Sequence, residues 1–224
     1  REYVFKNPKS LTEWICWICY LQIFGLVVDA FGIAGAFSSE LLIDALGGLT
    51  GILIFVSVVL VLIWIYRANA NAHQLGGSNM KFTPGWSVGW CFIPIFWFWK
   101  PYQAMKEIWQ VSSNPLDWWT QEAPGLIGWW WGLFLVSNVL SSAAIRMTGG
   151  WSGEVPTGST IWIMSDVVSI LAILVTVALI KEISKIYGKT VFPSHTYVWR
   201  FRHYKYWTIN AFIFNNDIFQ VLGR

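Results

Sequence analysis

Four stretches of this chain are each long and apolar enough to cross a bilayer as a helix, at about residues 14–37, 46–66, 126–145 and 161–180. A segment inside hydrocarbon must satisfy its own backbone, and helices do so residue by residue. The pattern therefore reads as an all-α integral membrane protein. The charge content agrees. Only 12% of residues are charged, where a soluble domain carries about a quarter.

The basic residues orient the spans. With the N-terminus inside, fourteen of the fifteen Lys and Arg fall on inner segments and Arg146 alone falls outside, the bias expected of a cytoplasmic face. The chain opens at Arg1 without a Met, so a preceding piece is expected.

A fifth apolar run, Phe82 to Pro101 (FTPGWSVGWCFIPIFWFWKP), does not fit as a span. Counting it as one would split the basic residues six against nine and erase the asymmetry. Its apolar part, Gly85 to Trp99, would reach roughly 22 Å as a helix against a core of roughly 30 Å. Pro94 also removes a backbone donor. The run is expected to form part of a Trp-rich hairpin over about 82–112, either re-entrant or lying at the inner headgroups. After Pro101, a good first helical residue, Tyr102, Met105, Ile108 and Trp109 share one face, with Gln103, Lys106, Glu107 and Gln110 opposite. That reads as a surface-lying amphipathic helix. Upstream, residues 67–75 are expected to prolong the second span until Gly76 and Gly77 stop it.

The stretch from Trp64 to Trp109 resembles the bacterial membrane-protein family called domain of unknown function 4328. The likeness rests on Arg67, Asn71, Leu75, Gly76, Pro84, Gly85, Trp86, Val88, Gly89, Trp90, Pro94, Trp99, Pro101, Met105, Glu107 and Trp109. It extends over roughly residues 10 to 185 and implies a four-helix outline, with no activity attached. Between Ile93-Pro94 and Trp99 the family usually has a small and a polar residue. Here stand Phe96, Trp97 and Phe98, which points to a lipid, pigment or protein contact. Residues 191–224 fall outside the pattern. The chain thus divides into a four-span domain, 1–190, and an aromatic-basic tail, 191–224, suited to anionic lipid or a neighbouring subunit.

Two candidate sites follow. Asp29 and Asp166 lie inside spans at similar depth in the outer half, and Arg146 ends the third span nearby. Ionisable groups there are costly and often functional. The three form either a proton or cation site or a structural ion pair. The second candidate is the aromatic set Trp86, Trp90, Phe96, Trp97, Phe98, Trp99 and Trp109, within a segment that holds ten of the seventeen Trp. It is either an aromatic belt or a platform for a partner, since Trp dominates contact hot spots. Small residues at Gly25 and Gly32, Gly47 and Gly51, Gly128 and Gly132, and Ser165 to Thr176 favour close helix packing.

Other features carry less. Cys16 and Cys19 lack a redox or zinc context. His73, His195 and His203 all lie outside the spans, so no in-span haem or pigment ligand is expected, and His73 reads as part of a solvated helix face. No catalytic or metal residues are expected, and no cofactor beyond contact with a pigment, quinone or lipid. The leading expectation is a non-catalytic accessory or scaffold subunit of a larger complex, respiratory or photosynthetic in type, in the bacterial inner membrane. Its termini would be cytoplasmic, its partners lipid and other membrane subunits, not nucleic acid. The alternatives are a small proton-coupled transporter or channel using the embedded acids, and a lipid-acting membrane enzyme.

Overall fold

The computed structural model describes residues 5–35, 40–77, 79–147 and 159–191, without the side chains of 40–44 and 189–191. The described chain is all-helical. α1 spans Lys9–Ile33, α2 Glu40–Gln74, α3 Pro84–Gly89, α4 Lys100–Ser113, α5 Gly125–Met147 and α6 Thr160–Val191, with single 3₁₀ turns at Trp90–Phe92, Phe96–Phe98 and Trp118–Thr120. Four helices are long and apolar enough to cross a membrane: Lys9–Ile33, Ala45–Gln74, Gly125–Met147 and Thr160–Gly188. Their large side chains point outward more often than inward: Trp17, Phe24, Phe55 and Val139 are all exposed. That is the surface of a helix solvated by lipid tails rather than water. The chain is a multi-pass membrane protein.

The chain forms two compact units, Arg1–Ser184 and Lys185–Arg224. The first holds the bundle and the hairpin. Of the second, the described part is the last turns of α6. The tail at 192–224, with His195 and His203, lies outside the described residues.

Three hydrogen bonds set the register within the bundle. Trp64 Nε1 of α2 donates to Thr12 Oγ1 of α1 (3.2 Å), the Thr12 and Ser184 hydroxyls of α1 and α6 share a bond (2.8 Å), and Ser141 of α5 meets Ser165 of α6 (2.8 Å). Among the small residues, Gly25 marks the close approach of α1 to α2: a Cβ there would stand 2.6 Å from Thr50 Oγ1. Gly47, Gly51, Gly128 and Gly132 differ. A Cβ at each would meet nothing within 4 Å, so the expectation that they pack the bundle fails for these four. Their faces turn away from the described helices.

α2 runs 35 residues, well past its apolar part. Its end is a glycine stop, with Gly76 at φ 100 and the Gly76 N–H donating to the His73 carbonyl (3.3 Å). Ala68, Asn69, Ala70, Asn71 and Ala72 are all buried, because α1, α3 and α4 surround this extension. Asn71 fastens the chain before α1: its Nδ2 donates to the Lys6 carbonyl (2.9 Å) and its Oδ1 accepts the Lys6 N–H (3.0 Å).

The Phe82–Pro101 run is not among the spans. Thr83 Oγ1 caps α3 by accepting the Trp86 N–H (3.4 Å), and Pro84 sits in the first helical turn. The helix tightens to 3₁₀ and stops at Ile93, whose extended backbone (φ −99, ψ 114) is what a following proline demands. The chain then reverses, and Pro101 sits in the first turn of α4. α4 departs from its expected role. Ala104, Met105, Ile108 and Val111 are buried against protein, Glu107 is buried with them, and Tyr102 and Trp109 are only half-buried. It lies on α2, α3 and α5, so its inner face is set by packing rather than by a lipid surface.

Candidate functional site

Two sets of residues stand out, at opposite ends of the bundle. At the hairpin end, one row of aromatic residues closes the hairpin on itself and another ring, Trp97, ties it to the bundle. Trp86 packs on Trp90 (ring centres 4.8 Å), Trp90 on Phe96 (4.9 Å) and Phe96 on Trp99 (5.6 Å), which closes the reversal at Pro94. Lys100 Nζ lies over the rings of Phe82 (5.5 Å) and Trp90 (5.3 Å). Trp97 turns the other way, onto Trp131 (6.2 Å) and Phe134 (6.0 Å) of α5, and Trp131 Nε1 donates to the Phe98 carbonyl (2.6 Å). Trp97 therefore anchors the hairpin to the bundle. Trp86, Phe92, Ile95, Phe98 and Trp99 stay exposed. Trp109 is half-buried on α4.

Beneath this surface lies a polar node whose residues were legible only as family positions or as a solvated face. Glu107, 4% exposed, accepts the backbone N–H groups of Lys81 (2.6 Å) and Phe82 (3.0 Å). His73 Nε2 is 3.1 Å from the Phe82 carbonyl, so it is tied into the loop rather than solvated. Burial raises the Glu107 carboxyl above its ordinary range, while the two backbone donors and the nearby His73 and Lys81 pull it back. The node fastens the start of the hairpin to the end of α2. Close by on α2, Asn69 is fully buried and neither of its amide atoms has a partner among the described residues. Cys91, half-buried within the first 3₁₀ turn, has its thiol pushed up to about 11 by burial and is poorly suited to nucleophilic work.

At the opposite end, α1 and α6 bring Asp29 and Asp166 together, near enough for the charge of one to act on the other. The Thr50 hydroxyl of α2 donates to Asp29. Asp166 is buried, and its Oδ2 has no partner among the described residues. Arg146 does not complete the set. It is exposed at the last turn of α5, and among the described residues no ion pair joins it to either acid. Gln22 is a residue that span-by-span reading missed. It lies seven positions before Asp29, on the same face of α1, and is buried with Oε1 unpartnered. Its signal was present as a polar residue in register with an acid.

Among the described residues, no group of three His, Cys, Asp or Glu is placed to hold a metal ion. Cys16 and Cys19 are buried free thiols on α1. No curated protein and no solved structure matches the chain. The family model described as "Domain of unknown function (DUF4328)" matches residues 30–185, which takes in α2 to α5, the whole hairpin and all but the end of α6. The chain belongs to the domain of unknown function 4328 family.

Proposed function

We propose that this chain is a non-catalytic subunit of a larger membrane complex in the bacterial cytoplasmic membrane, with both termini on the inner side. The observation that carries this reading is the open state of Gly47 and Gly51 on α2 and of Gly128 and Gly132 on α5. Small residues four apart let two membrane helices approach closely. The chain's own described helices do not use these two faces, so they suit helices of other subunits. The hairpin supplies a further contact surface. Its backbone is fixed by Glu107, Thr83 and Trp131, and it presents Trp86, Phe98 and Trp99 outward. A rigid aromatic surface loses little side-chain entropy on binding, which favours contact.

The test is the native mass and subunit content of the protein extracted in mild detergent. The expected result is a particle that contains other chains. Gly51→Leu with Gly132→Leu, still inserted, is expected to reduce the co-purifying subunits about tenfold, equivalent to about 1.4 kcal/mol of lost association. Recovery of the wild type as a lone chain or a homo-oligomer would overturn the reading.

A further inference from the structure

We propose that the hairpin is re-entrant: its turn, from Phe92 to Trp97, stands among the acyl tails of the leaflet at its end of the bundle, and Lys100 at its base holds the phosphate of an anionic phospholipid there. α5 sets the depth. Trp97 packs on Trp131 and Phe134, and the next carbonyl, that of Phe98, accepts Trp131 Nε1. Trp131 and Phe134 stand six and nine positions after Gly125, roughly 9 and 14 Å along the helix. α5 has 23 residues, about 34 Å of helix, against a hydrocarbon core of roughly 30 Å. It has almost no length to spare outside the core. For a centred helix, Trp131 lies roughly 7 Å below the hydrocarbon surface, and the turn that rests on it lies there too.

The turn suits that medium. Irregular backbone at membrane depth must find partners for its polar groups within the protein. The N–H groups of Ile93, Trp97 and Trp99 donate to the carbonyls of Trp90 (3.5 Å), Ile93 (3.0 Å) and Phe96 (3.3 Å), and Trp131 serves the Phe98 carbonyl. Pro94, at the reversal, has no N–H to leave unpaired. Phe92 and Ile95 are the most exposed large apolar residues of the hairpin, at 71% and 69%. The helix that carries the turn is itself lipid-facing, with Trp129, Val136 and Val139 exposed. Acyl tails therefore already surround the support on which Phe92 and Ile95 are held.

Lys100 is the second and independent observation. Its Nζ lies over the Trp90 and Phe82 rings. Phe82 belongs to the loop that Glu107 and His73 tie to the end of α2, beyond the apolar part of that helix. The Lys100 stem thus runs from the turn back to headgroup level, as a snorkelling lysine does. Its counter-charge does not come from the hairpin. Between Leu75 and Leu116 the chain carries Lys81, Lys100 and Lys106 but a single acid, Glu107. That acid is spent on the N–H groups of Lys81 and Phe82. A half-buried ammonium group at this level matches the phosphate of an anionic lipid, whose acyl chains then run along Phe92 and Ile95. This assigns the turn to lipid and leaves Trp86, Phe98 and Trp99 for the neighbouring subunits proposed above.

The experiment uses the particle extracted in mild detergent and moved into lipid nanodiscs, with Phe92 replaced by 4-fluorophenylalanine, which leaves the ring in place. Its ¹⁹F resonance is expected to broaden when the lipid carries a nitroxide on its acyl chain, and to stay sharp with a gadolinium chelate in the water. Broadening by the chelate would put the turn at the surface and overturn the proposal. Broadening by neither probe would mean that protein covers the turn, and would overturn it as well. The subunit content of the particle is read separately from its mass, so failure here is distinct from failure of the complex. Lys100 is tested by native mass spectrometry of the same particle titrated with phosphatidylglycerol. Lys100→Gln is expected to weaken the tightest bound lipid about fivefold, equivalent to about 1 kcal/mol, and Lys100→Arg to retain it. Unchanged affinity in Lys100→Gln would overturn the headgroup assignment.

Discussion

Replacing Glu107 by alanine is expected to destabilise the protein by about 3 kcal/mol, because it orphans two backbone donors that cost about 1–3 kcal/mol each when buried and unpaired. Those donors are the N–H groups of Lys81 and Phe82, and the second is buried. Glu107→Gln should cost about half as much, since the amide oxygen still accepts one N–H while its NH₂ faces the other. The pH dependence runs against the usual acidic pattern. Burial places the folded carboxyl above the unfolded one, so the folded state holds the proton to higher pH. The stability contributed is fully present below the unfolded value of about 4.3 and is lost as pH rises through the folded one. Glu107→Gln removes that slope. The unfolding midpoint in detergent, followed across pH for the three proteins, checks both points. An alanine variant as stable as the wild type would mean that packing of α3 on α4 holds the loop unaided.

Gly25→Leu is expected to cost about 3 kcal/mol, at the upper end of ordinary overpacking. The new Cβ would stand 2.6 Å from Thr50 Oγ1, and Thr50 cannot swing clear without releasing Asp29. Either α1 and α2 separate or the Thr50 bond breaks. Gly51→Leu, on an open face of the same helix pair, should leave the midpoint of the isolated chain within about 0.5 kcal/mol, the range of a substitution that touches nothing. Equal losses for the two would show that close approach at Gly25 is not special.

The span count, the glycine stop after α2 and the failure of Phe82–Pro101 to cross could all be read from local signals. Apolar length, Gly76 and Pro94 each act through their own backbone, so neighbours in space were not needed. What needed the third dimension was which face meets what. Arg146 has the right depth but sits at a helix end, where rotation by one residue turns a side chain about 100°. Glu107 fell on the polar side of α4 by periodicity. α4 nevertheless rests on α2 and α3, so a carboxylate could be buried once backbone donors met it. The four open glycines carry the spelling of packed ones, because a small-residue spacing names a closeness without naming the partner.

α2 acts as a stiff lever as well as a span. It is a single helix of 35 residues, about 52 Å from end to end at the usual rise. It contains no proline at which it would kink. Thr50, which holds Asp29, and Asn71, which holds the segment before α1, ride on it about 32 Å apart. A tilt of about 5° around its midpoint would carry each end sideways by about 2 Å, more than the slack in a hydrogen bond. A tilt of this rod would therefore move the Thr50 and Asn71 contacts together, in opposite directions.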